Sequence, residues 1–139
     1  MTADTHLRQV SIQRLFDDNR ERLGLEWIAG RDGGSRVLTG EAALKPTIGQ
    51  VGHMNFIHPF RVQLLGAAEI AHLAALPADT AVASIARLFT SELVAVVVAN
   101  GESVPAPLAE GCETHHVPLL TSSQPSPHIV DVFRLYLSR

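Results

Sequence analysis

Cysteine occurs once in this 139-residue chain, at Cys112, so no internal disulfide can form. Lysine is equally scarce: Lys45 is the only one, and the arginines stand singly rather than in runs. With a formal net charge of -3, the chain lacks the basic track that follows a phosphate backbone, which excludes nucleic-acid binding as its main task. Long apolar runs are missing too. The longest, "LVAVVVA" at 93–99, falls far short of the roughly 20 residues that cross a bilayer. The opening "MTADTHLRQV" has neither the positive leader nor the apolar core of a secretory signal. Together with the solitary thiol, these absences lead us to expect a cytoplasmic protein with no membrane segment.

Catalytic signatures are absent as well. A phosphate-binding loop ends in Gly-Lys-Ser/Thr, because the lysine neutralises the outer phosphates and the hydroxyl ligates magnesium; here the one lysine lies in "LKP". No G-x-G-x-x-G occurs among the ten glycines, and no G-x-S-x-G presents a nucleophilic serine. The adjacent carboxylates of "FDDN", Asp17 and Asp18, point about a third of a turn apart on a helix and form no facing acid/base pair.

What is present is a sequence that folds. Hydrophobic residues make up 46% and charged ones 18%, enough apolar surface to offset the loss of chain entropy over one domain, residues 10–139, behind a flexible tail at 1–9. From Ser11 as N-cap, Ile12, Leu15, Phe16 and Leu23 recur at helical spacing, and Gly24 stands where a left-handed C-cap would be. "LEWIAG" reads as a strand, "GRDGGSR" at 30–36 as a turn, and "VLTGEAALKPTIGQVG" as a loosely ordered connection.

Further on, "RVQLLG" at 61–66 has strand character, and "AAEIAHLAALP" is a helix stopped by Pro77. A second helix begins at Asp79 as N-cap and places Val82, Ile85, Leu88 and Phe89 on one side. "LVAVVVANG" is apolar and β-branched throughout, which suits a strand covered on both faces. A short helix around "PAPLAEGCETH" and the strand "VPLLTS" complete a right-handed βαβ unit. The closing "SPHIVDVFRLYLSR" starts with Ser126 as cap and Pro127 as first helical residue. Its pattern is still running at Arg139, which fits either the boundary of a fragment or a terminal helix that frays. The fold class is α/β.

Seven histidines invite a search for metal. "CETHH" sets Cys112 beside His115 and His116, yet structural zinc takes four ligands and no second pair at suitable spacing accompanies this one. The simpler expectation is that Cys112 packs as a small apolar residue and the histidines face solvent at a helix C-terminus, where positive charge is favourable. A metal-dependent hydrolase built on His53, His58, His115 and His116 is the weakest functional reading. Open α/β sheets bind ligands beyond the carboxyl ends of their strands, which here present Asn100, Gly101 and "TSS", with Thr121 and Ser122. A free-standing small-ligand-binding module on those residues is therefore a second reading, with turn and capping roles as the plainer account.

"GHMNFIHPFRVQLLG" at 52–66 adds His53, Asn55, His58 and Arg61 as ligand or interface candidates. Together with "SIQRLFDDNRERLGLEWIAG", "LVAVVVANGESVPAPL" and "HIVDVFRLYLSR", it resembles the N-terminal domain of HPr kinase/phosphorylase, from about Val10 to Arg139. That resemblance implies a layered α/β/α domain with a small, largely parallel or mixed sheet, similar to the first domain of the muramyl-peptide ligases. It also implies a fragment: the family's ATP, magnesium and catalytic residues belong to a second domain, which phosphorylates or dephosphorylates a serine of the phosphocarrier protein HPr. No catalytic residue, cofactor site or metal site carries over to this chain. The family works as a hexameric assembly regulating the sugar phosphotransferase system and carbon metabolism, and this domain is expected to regulate, sense an effector or dock a partner.

Overall fold

A computed structural model describes residues 9–39, 62–89 and 93–137. The expected tail therefore lies outside the described residues except for Gln9, which opens strand β1 (Gln9–Ser11). Helix α1 (Ile12–Leu23) starts where the Ser11 hydroxyl accepts the N–H of Arg14 at 3.1 Å, and ends at Gly24, whose φ of 61° turns its N–H back to the Arg20 carbonyl. Caps of this kind are worth about 1 kcal/mol. Strand β2 (Glu26–Ala29) follows, then a single 3-10 turn over Arg31–Gly33.

The stretch expected as loose connection is corrected in part: Val37–Thr39 forms strand β3, antiparallel to β1 with Val10 opposite Leu38. Local sequence gave only weak strand signal there, because the partner strand lies far back in the chain. Residues 40–61 lie outside the described residues.

Strand β4 (Val62–Leu65) leads through Gly66 into helix α2 (Ala67–Ala75), where the Glu69 carboxylate accepts the Gly66 N–H at 2.8 Å. Helix α3 (Ala78–Leu88) starts two residues earlier than expected, with Pro77 rather than Asp79 at the cap. Asp79 sits instead in the first turn, where a carboxylate suits the helix dipole, and accepts the N–H of Thr80. Val82 is also corrected: it is 52% exposed, and Ala81 joins Ile85 and Leu88 on the buried face. The small alanine lets α3 lie close to the layer beneath it.

Strand β5 (Ala95–Val98), helix α4 (Ala106–His115) and strand β6 (Leu119–Thr121) form the expected βαβ unit, with β5 and β6 parallel. Helix α5 (Ser126–Leu137) begins one residue before Pro127, and the Pro125 carbonyl accepts the N–H groups of His128 and Ile129, each at 3.1 Å. The four-stranded sheet runs β2-β6-β5-β4, parallel except for β2, so it is mixed.

Both faces of this sheet are covered. On one, Ala95, Val97 and Leu120 pack against Ile12, Leu15 and Phe16 of α1 and Ile129 and Phe133 of α5. On the other, Val96, Val98 and Leu119 meet Ile70 of α2, Ile85 and Leu88 of α3, and Leu108 and Cys112 of α4. Successive strand residues point to opposite faces, so the continuous run "AVVV" supplies both cores at once. The domain is a layered α/β/α structure. The phenol of Tyr136 on α5 donates to Asp18 on α1, tying the two helices of one layer together.

Candidate functional site

Three parallel strands bring their carboxyl ends together, and the chain closes that edge with short hydrogen-bonded turns. Ala99 donates to the Leu65 carbonyl at 2.8 Å, Asn100 to Gln124 at 2.8 Å and Gly101 to Ser122 at 2.9 Å. Asn100 and Gly101 both take left-handed backbone, at φ 66° and 67°. Asparagine tolerates that conformation better than most residues, and glycine adopts it without steric cost. Gly66 and Ser126 adjoin here: a Cβ on Gly66 would lie 3.0 Å from the Ser126 hydroxyl, so the starts of α2 and α5 meet at this edge.

Four residues expected at this edge are thus assembled in one place. Ser122 is buried; its hydroxyl donates to the Leu23 carbonyl at 2.6 Å and accepts the N–H of Gln124 at 3.0 Å. Bonded to a carbonyl rather than a base, it has the chemistry of a structural strut and not of a nucleophile. Thr121 pairs with Val98 and Glu26 and is half-buried. Asn100 is exposed, with its side-chain amide 3.4 Å from Glu102, while Gly101 has open space around it. The two helix starts contribute partial positive charge; Glu69 places a carboxylate at the start of α2, and Glu102 places one beside the Asn100 amide. His53, Asn55, His58 and Arg61 lie outside the described residues.

A second polar cluster occupies the opposite end of the sheet. Arg36 donates to the carbonyls of His116 at 2.9 Å, Leu93 at 3.2 Å and His115 at 3.2 Å. Its guanidinium therefore caps the C-terminus of α4, while its own carbonyl accepts the N–H of Ile12 at the start of α1. Glu113 accepts the N–H of Gly30 at 2.9 Å, and His116 Nδ1 lies 2.6 Å from Asp32. His115 stacks on Phe89 with ring centres 4.4 Å apart. The histidines of "CETHH" are exposed and Cys112 is buried, as their sequence setting implied. Among the described residues no three His, Cys, Asp or Glu gather closely enough to hold a metal ion. Sequence reasoning passed over Arg36, whose role depends on a helix end some eighty residues further on.

The family model described as the HPr serine kinase N terminus matches residues 10–137. The chain belongs to that family. Among curated relatives, HPr kinase/phosphorylase of Chromobacterium violaceum is 42% identical over 94% of this chain and 41% of its own length. The Neisseria meningitidis protein of the same name is 42% identical over 94% of this chain and 40% of its own length. That of Polaromonas naphthalenivorans is 36% identical, with shares of 94% and 42%. The chain spans about two fifths of the length of these relatives. The HPr serine kinase N terminus is thus an α/β/α layer structure here, with one polar cluster at each end of its sheet.

Proposed function

We propose that this chain is the non-catalytic N-terminal domain of a bifunctional HPr serine kinase/phosphorylase that regulates the sugar phosphotransferase system and carbon metabolism in the cytoplasm. The observation that carries this reading is the confinement of the match to about two fifths of each relative, over a stretch with no Gly-Lys-Ser/Thr motif. ATP, magnesium and the HPr serine would be handled by the remainder of the parent, and the parent would work as a homo-oligomer, a hexamer by family resemblance. This domain would then regulate, sense or dock. Asn100, Gly101, Thr121 and Ser122 at one sheet edge, with His53, Asn55, His58 and Arg61, are the positions at which such a contact would be sought.

The test is to incubate the 139-residue chain with ATP, magnesium and purified HPr and to follow phosphoserine by mass spectrometry. No phosphorylation above the background of HPr alone is expected; turnover by this chain would overturn the assignment of chemistry to the missing part. A sequence of the form G-x-x-x-x-G-K-[ST] is expected downstream of codon 139 in the encoding gene.

A further inference from the structure

Asparagine occurs at positions 19, 55 and 100, and only Asn100 is followed by glycine. That neighbour matters chemically. A glycine nitrogen, with no side chain beside it, can attack the carbonyl of the preceding asparagine side chain, so this pair is the one most prone to lose its amide. The fold places the pair in a tight turn after β5. Glu102 donates to the Ala99 carbonyl at 3.2 Å, and φ of 66° at Asn100 and 67° at Gly101 make the turn type I′. Both residues are exposed, and a Cβ on Gly101 would meet nothing within 4 Å, so water reaches them. The same turn restrains the reaction. Gly101 already donates its N–H to the Ser122 carbonyl at 2.9 Å, and Asn100 donates to Gln124 at 2.8 Å. In a type I′ turn ψ at the first central residue is about 30°, which sets the Gly101 nitrogen roughly opposite the Asn100 Cβ. Ring closure needs the two on the same side.

We infer that Asn100 is a modification site, deamidated by its own chain without an enzyme, and that opening of the turn at 99–102 sets the rate. Once the turn opens, the Gly101 nitrogen gives its proton to hydroxide and bonds to Asn100 Cγ. The Cγ–Nδ2 bond breaks, and Nδ2 leaves as ammonia with a proton taken from water. A water molecule then opens the cyclic imide at either carbonyl, giving aspartate or isoaspartate; the net change exchanges ammonia for water. Isoaspartate carries the main chain through the former side chain and lengthens it by a methylene. A two-residue turn has no room for that extra atom, so the bonds from Asn100, Gly101 and Glu102 that close the sheet edge beside Thr121 and Ser122 are lost. Aspartate, by contrast, tolerates the left-handed backbone. Deamidation through isoaspartate is therefore an irreversible change of shape at the carboxyl edge of the sheet.

The experiment holds the 139-residue chain at pH 8, folded or unfolded in urea, and follows aspartate and isoaspartate at each asparagine by peptide mapping and mass spectrometry. Opening the turn breaks several backbone hydrogen bonds, so Asn100 should react at least about tenfold more slowly in the folded chain than in urea. In urea, Asn19 and Asn55, followed by Arg20 and Phe56, should each lag Asn100 at least about tenfold. Ser122→Ala removes the hydroxyl that bonds the Leu23 carbonyl and the Gln124 N–H, which loosens the acceptors of Asn100 and Gly101. It should raise the folded rate about threefold or more and leave the urea rate unchanged, with circular dichroism checking the fold. Gly101→Ala puts a methyl beside the attacking nitrogen and should slow the reaction in urea severalfold, a comparison that needs no folded protein. The purified isoaspartyl chain should melt below the Asn100→Asp variant. Equal rates in folded and unfolded chain, no product at Asn100 in urea, or an isoaspartyl chain as stable as Asn100→Asp would each overturn the inference.

Discussion

Cys112 lies on α4 with no exposed surface, and burial, followed by the negative charge of Glu113, pushes its thiol from 9.0 up to about 12. A thiol in that state is neither nucleophile nor metal ligand at neutral pH. The unfolded chain releases this proton near pH 9.0 while the folded chain keeps it to about 12, so between those values the folded state binds more protons. Its contribution to stability is complete below pH 9.0 and is lost as pH rises toward 12. Urea titrations at pH 8 and above 9 should show that loss, diminished in Cys112→Ala. At pH 8 an aromatic disulfide reagent should label folded Cys112 at least about 100-fold more slowly than the urea-unfolded chain. Labelling at similar rates would mean that the thiol is accessible. Burial of Cys112 was legible from "CETHH" because no ligand set surrounds it. The strut formed by Ser122 was not, since its acceptor, the Leu23 carbonyl, lies 99 residues away.

Among the elements, the turn at 30–36 shows how position alone decides what a glycine is worth. Gly30 and Gly101 have nearly the same φ, at 68° and 67°. A Cβ on Gly30 would fall 1.9 Å from the Val117 carbonyl oxygen, whereas one on Gly101 meets nothing within 4 Å. Gly101→Ala should therefore cost only the left-handed strain, about 1 kcal/mol, and Gly30→Ala about 3 kcal/mol or more, because backbone must move. Equal losses in a pair of denaturant titrations would contradict this. The expected turn at "GRDGGSR" rested on glycine content, a local property. Its use as a platform for the end of α4, gripped through Arg36 and Glu113, follows only from the sheet order that brings β2 beside β6. Helix limits behaved similarly: Ser11 and Gly24 marked α1 through local hydrogen bonds and backbone conformation. Asp79 misled at α3, since proline also closes the preceding segment and can stand at the cap itself.

At the scale of the whole domain, two apolar clusters share the same strands. Val97 belongs to one and its neighbours Val96 and Val98 to the other, so neither layer of helices can leave without exposing the sheet to water. Burying each such side chain contributes about 1.5–3 kcal/mol. Unfolding should therefore be one cooperative transition. Fluorescence of Trp27, which packs edge-on against Phe16 in the first cluster, should report the same urea midpoint as far-UV circular dichroism, which sees every helix. Separate midpoints would show that the layers unfold independently.

The sequence by itself determined the α/β class, most helix limits, the doubly covered strand and the family, because these rest on local caps, periodicity and a long ordered series of matched segments. Tertiary structure decided the rest. It set the strand order, the pairing of β3 with β1, the burial of Ala81 in place of Val82, and the grip of Arg36 on α4. Each of these depends on which distant residues meet across the sheet, and such meetings leave no periodic or local trace along the chain.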